Sequence, residues 1–184
     1  MMRNTFSLAM LGGVALAMLC ATGAEAATQG SLGATSTGTV TITATVPNRA
    51  QITGLSDISF TNADPTTTAT SAQNSCLWSN TATKGYSITA SGSGTAGAFT
   101  LSSGALAPVP YSVQWAATTG QTSGTALATG SALTGLVSTA TRPTCNSGPA
   151  TSASLVVSIA ATDLQNMVAA ASYTGTLTLL VTPQ

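Results

Sequence analysis

The 184-residue chain carries four basic and four acidic residues, no histidine and three cysteines, and its formal net charge is zero. Without histidine there is no Ser-His-Asp or Cys-His arrangement. Without a basic face or a polybasic run there is no footprint for nucleic acid or for anionic lipid. The expectation is a non-enzymatic chain with no cofactor, no metal, no nucleic-acid partner and no direct membrane insertion.

The chain opens on Met1, Met2 and the cationic Arg3, followed by an apolar run over residues 6–20 and a small-residue stretch ending in Ala24, Glu25 and Ala26. That order reads as a secretory signal peptide over residues 1–26, with cleavage before Ala27. The apolar run is shorter than the roughly 20 residues a membrane span needs. A lipoprotein anchor on Cys20 is the alternative, although Leu19 stands where a small residue is the rule. Residues 27–38 are Gly, Ser, Thr and Ala with little to bury, which reads as a flexible leader.

Residues 39–46 (Thr-Val-Thr-Ile-Thr-Ala-Thr-Val) alternate strictly between hydroxyl and apolar side chains. Period two in β-branched residues is a strand with one dry face, here Val40, Ile42, Ala44 and Val46. Pro47 and Asn48 end it. Residues 47–184 then read as one β-rich domain. A broken strand is expected over 50–60 around Gly54, a loop over 62–75, and a strand over 86–90. A short strand is expected within 99–106 and a clearer one over 109–116, with Val109, Tyr111, Val113 and Trp115 on one face. A weak strand over 132–137 follows, then strands over 154–161 and 173–182, with one helical turn or a loop at 163–171 between them. Short strands separated by Gly, Pro, Ser and Thr turns point to an all-β sandwich.

Cys20 leaves with the signal peptide, so Cys76 and Cys145 remain. An even pair in an oxidising compartment reads as one disulfide; two buried free thiols are the alternative. Asp57 and Asp64 are considered as calcium ligands and, alternatively, as solvated loop acids. Trp78 and Trp115 are considered as sugar-stacking platforms. Trp115 is in phase with Tyr111 and Val113 and so is read as core, and Trp78, two residues after Cys76, as packing on a disulfide. A serine activated by Lys84, the chain's lysine, is the remaining catalytic option. Thr-x-Thr runs suggest ice binding, but they do not recur at a solenoid period.

Three segments together resemble chaperone–usher pilus subunits: residues 38–46, residues 109–115 (Val-Pro-Tyr-Ser-Val-Gln-Trp) and residues 171–182 (Ala-Ser-Tyr-Thr-Gly-Thr-Leu-Thr-Leu-Leu-Val-Thr). The first and last are similar to colonisation-factor-antigen-like fimbrial subunits. Residues 76–94, with their Tyr-Ser-Ile-Thr-Ala centre, resemble spore coat protein U-like subunits. That second family often carries a cysteine near the first body strand, where this chain has Arg49 and Ala50.

The resemblance implies an immunoglobulin-like sandwich lacking one strand, filled by donor-strand complementation from a neighbouring subunit and, before assembly, by a periplasmic chaperone. It implies an outer-membrane usher as a further partner and a surface pilus, reached through the periplasm, as the destination. The donor would be residues 39–46, with Val40, Ile42, Ala44 and Val46 as plugs. The acceptor groove and chaperone contact would be lined partly by Leu177, Leu179 and Val181. An ordinary intramolecular first strand would show the same alternation. The expected function is a structural pilus subunit; a tip adhesin on the same scaffold, a secreted hydrolase and an ice-binding protein are the alternatives.

Overall fold

The structure, a computed structural model, describes residues 26–184. The signal-peptide reading and the Cys20 alternative fall on residues 1–25 and lie outside the described residues. The chain divides into two units, one ending at Thr45 and one running from Val46 to Gln184.

In the first unit, Thr28 and Thr39 form an isolated antiparallel bridge, each N–H donating to the other's carbonyl at 3.0 Å. Residues 40–49 belong to no strand or helix. The alternation expected to make a strand at 39–46 thus stands without a ladder, since an extended segment with no partner has nothing to offset the cost of ordering it. Val40 is 74%, Ile42 89% and Val46 77% exposed, and Ala44 is exposed too.

The second unit contains ten strands: β1 (Ala50–Thr53), β2 (Ala69–Ser79), β3 (Gly85–Gly92), β4 (Thr100–Leu101), β5 (Val109–Pro110), β6 (Ser112–Ala116), β7 (Thr125–Ala126), β8 (Ala132–Val137), β9 (Ala153–Ile159) and β10 (Leu177–Pro183). A single helical turn, α1 (Ala161–Leu164), follows β9. The strands make an antiparallel five-stranded sheet in the order β1-β2-β9-β6-β7, a three-stranded one in the order β10-β3-β8, and a small β4-β5 pair. The fold is an all-β sandwich.

Its core comes from the inward faces of both main sheets: Leu77 from β2, Tyr86, Ile88 and Ala90 from β3, Val113 and Trp115 from β6, and Leu155, Val157 and Ile159 from β9. The expected face of Val109, Tyr111, Val113 and Trp115 is buried throughout. The Trp115 indole N–H donates to the Tyr86 hydroxyl at 3.0 Å, a directional link between the sheets. Strand β9 is buried on almost every residue because it lies between β2 and β6 and is covered on its outer face as well. There, the Ser154 hydroxyl donates to Asn74 and Thr118 and accepts from the N–H of Gln121.

Cys76 and Cys145 form the disulfide, with Cα atoms 5.8 Å apart. Together with Ala140 it makes a satellite cluster on which Trp78 packs. Closing a loop of this length contributes about 4 kcal/mol in the chain-entropy model.

Other expected elements differ as well; the strand expected over 173–182 begins only at Leu177. Residues 69–75, read as loop, belong to β2, whose inward positions there are Ala69, Ser71, Gln73 and Ser75 and carry no apolar alternation. The ladder to β9 holds them instead, Ala69 opposite Ile159 through Ser75 opposite Ala153. The strand expected over 50–60 ends at Thr53, because Gly54 takes a left-handed φ of 78° and turns the chain out of the ladder.

Candidate functional site

Strand β10 sits at the end of its sheet. It pairs with β3 on one side, Leu177 opposite Gly92 through Pro183 opposite Tyr86. Its other edge has no strand partner among the described residues, so a row of backbone N–H and C=O groups is left to solvent or to another chain. Its side chains alternate: Leu177, Leu179 and Val181 are half-buried and pack on the core, while Thr178, Leu180 and Thr182 face out.

Beside this edge lies a half-open cleft of about 1300 Å³. Leu177 and Leu179 form one wall; Leu155, Val157 and Ile159 of β9 contribute the floor. The second wall is the extended stretch 55–61, which packs Ile58 and Phe60 against the core. Residues 164–176, just before β10, line one end. Small-molecule pockets occupy about 300–1000 Å³, and packed interiors contain few voids much larger than a water molecule. The cleft is therefore larger than either.

The wall at 55–61 belongs to no strand. Its attachment to the sheet is a side-chain one: the Ser56 N–H donates to Gln73 Oε1 at 2.8 Å, and Gln73 Nε2 donates to the Ser56 carbonyl at 3.0 Å. The backbone groups of residues 57–61 make no hydrogen bond among the described residues. Residues 57–61 and the outer edge of β10 thus flank a floor of Leu155, Val157 and Ile159.

The expected groove residues divide accordingly. Leu177 and Leu179 line the cleft, whereas Val181 packs on the core outside its lining; β1 lies against β10. The contributions of residues 55–61, Gln73 and β9 are additional. Of these, Ile58 and Phe60, apolar at alternate positions with Ser59 between them, carry a signal in the sequence. Gln73 carries none.

The remaining candidates are placed as follows among the described residues. No group of three or more His, Cys, Asp or Glu residues converges among the described residues. The Asp64 carboxylate accepts from the Thr66 N–H at 2.8 Å and from the Thr66 hydroxyl at 2.7 Å, and these bonds hold its pKa below the usual carboxylate value. Asp57 lies on the cleft wall, apart from that turn. Lys84 sits in the turn between β2 and β3 with φ 54°. Trp115 is buried, which removes it as a sugar platform.

No protein-family model matches the chain, and no curated protein matches it in sequence.

Proposed function

We propose that the chain is a non-enzymatic structural subunit of a surface pilus, polymerising by donor-strand exchange. The observation that carries this is the cleft beside the free edge of β10, floored by Leu155, Val157 and Ile159. In this reading, residues 39–46 of one copy lie between β10 and residues 55–61 of the next. Val40, Ile42, Ala44 and Val46 enter the cleft, and the threonines between them face out. An eight-residue strand spans roughly 26 Å, and Leu177 and Leu179 are the β10 side chains it would meet in the cleft. Burying a valine or isoleucine side chain contributes about 1.5–3 kcal/mol, and the free edge of β10 gains a ladder partner.

The exposure of Val40, Ile42 and Val46 supports this reading, since three β-branched apolar side chains on one face of a segment need a partner surface. Before assembly the cleft needs a temporary occupant, which makes a periplasmic chaperone and an outer-membrane usher the expected partners and the cell surface the destination.

The test uses the exported chain, a synthetic peptide of residues 39–46, and two variants. The wild-type chain is expected to polymerise, as followed by sedimentation and electron microscopy. Ile42→Asp is expected to polymerise at least about a hundredfold more slowly, because a carboxylate replaces a buried side chain, yet still to bind the peptide. Leu179→Asp is expected to do neither. A stable wild-type monomer indifferent to the peptide, or Ile42→Asp polymers at the wild-type rate, overturns the proposal.

A further inference from the structure

At the point where the chain leaves the body, one side chain takes the place of a strand. The β1–β2 ladder runs Thr53 opposite Cys76, Ile52 opposite Leu77, Gln51 opposite Trp78 and Ala50 opposite Ser79. One residue further, the Asn80 N–H donates to the Arg49 carbonyl at 3.1 Å. The ladder then changes character. The Arg49 N–H donates to Asn80 Oδ1 at 2.6 Å, and Asn80 Nδ2 donates to the Pro47 carbonyl at 2.9 Å.

A carboxamide offers one acceptor and two donors in a plane, the same complement as a peptide group plus one N–H. It therefore carries the hydrogen bonding past the last strand pair, Ala50 opposite Ser79, as far as Pro47. Pro47 has no N–H to give, so a backbone partner there would lack its donor, whereas Asn80 uses the Pro47 carbonyl alone. Asn80 is itself held by the turn that follows it. The Ser79 hydroxyl donates to the Gly85 carbonyl at 2.9 Å and the Lys84 N–H to the Thr81 carbonyl at 2.9 Å. The second, independent observation is where the chain divides into its two units, between Thr45 and Val46: the clamp ends within two residues of that boundary.

We infer that Asn80 is a positioning residue for assembly, fixing Pro47 to Arg49 to the body so that the freedom of the N-terminal extension begins at Val46. This rests on the pilus reading in one respect, that the extension enters a neighbouring copy. Given that, Asn80 sets the joint between consecutive subunits, and the fibre is stiffer for it.

The clamp can be tested without fibres. In residues 27–184 trypsin has sites after Arg49, Lys84 and Arg142, the last followed by Pro143 and so cut poorly. Asn80→Ala removes both side-chain bonds and is expected to speed cleavage after Arg49 about tenfold, with cleavage after Lys84 unchanged, because proteolysis tracks the population of the open form. Asn80→Asp retains an acceptor for the Arg49 N–H and loses the donor to Pro47, and is expected to fall between the two. An unchanged rate at Arg49, or an equal rise at Lys84, overturns the inference. In polymers viewed by electron microscopy, Asn80→Ala fibres are expected to curve more than wild-type fibres at equal subunit content. Wild-type-like stiffness would reject the assembly role. If the wild-type chain forms no polymer, the pilus reading fails, and the trypsin comparison still decides whether Asn80 fixes the root.

Discussion

The contact between Trp115 and Tyr86 shows how much one polar pair contributes inside an otherwise apolar core. Both residues are almost wholly buried, and the indole N–H has the Tyr86 oxygen as its acceptor. Tyr86→Phe keeps the ring and strands that N–H, which is expected to cost about 1–3 kcal/mol in urea unfolding. The same burial raises the Tyr86 pKa above 10, its ordinary value, with the Trp115 bond opposing part of the rise; burial raises Tyr111 as well. The sign of the pH effect follows. A phenol that ionises later in the folded chain than in the unfolded one contributes stability that is fully present below about pH 10. That stability is lost as pH climbs from there through the folded value. Thermal unfolding of the wild type is expected to be unaffected by these groups up to about pH 10 and to fall beyond it. Tyr86→Phe is expected to fall less steeply, retaining Tyr111's share. A Tyr86→Phe melt as steep above pH 10 as the wild type would refute the assignment.

Among the strands, those with apolar side chains at alternate positions are legible in the sequence alone. Tyr86, Ile88 and Ala90, the run from Val109 to Trp115, and the alternation ending at Val181 each name their buried face. The first half of β2 is not legible because its inward positions Ser71, Gln73 and Ser75 are polar, and Ser75 Oγ is buried with no hydrogen-bond partner among the described residues. The reason for that half of the strand lies in its ladder to β9, a pairing that no local pattern announces. The cleft is half legible for the same reason. Leu177 and Leu179 follow from the period of β10, but the opposite wall depends on Gln73 holding Ser56 across a loop. Gln73→Ala removes both bonds and is expected to raise the amide hydrogen-exchange rate of Ser56 about tenfold. Exchange at Leu155 and Val157, in the buried centre of the same sheet, should stay as in the wild type. Equal acceleration at all three would mean that Gln73 supports the sheet and not the wall.

For the molecule as a whole, charge is the term that decides how assembly responds to solution conditions. In residues 27–184, Arg49, Lys84 and Arg142 balance Asp57, Asp64 and Asp163; none of the four plug residues is charged, and Asp57 is the charged residue lining the cleft. Electrostatic steering raises association rates by about 10–1000-fold where it operates, and salt abolishes it. With no net charge on either partner there is little to screen, although the Debye length shrinks from about 30 Å at 0.01 M to about 3 Å at 1 M. The polymerisation rate proposed above is therefore expected to change by less than about threefold across that range of NaCl. Sulfate, which strengthens apolar burial by its exclusion from protein surfaces, is expected to accelerate it at matched ionic strength. A rate that drops tenfold or more on adding NaCl would place charged groups at the rate-limiting contact. The strip from Val40 to Val46 could not then be what the neighbouring copy first engages.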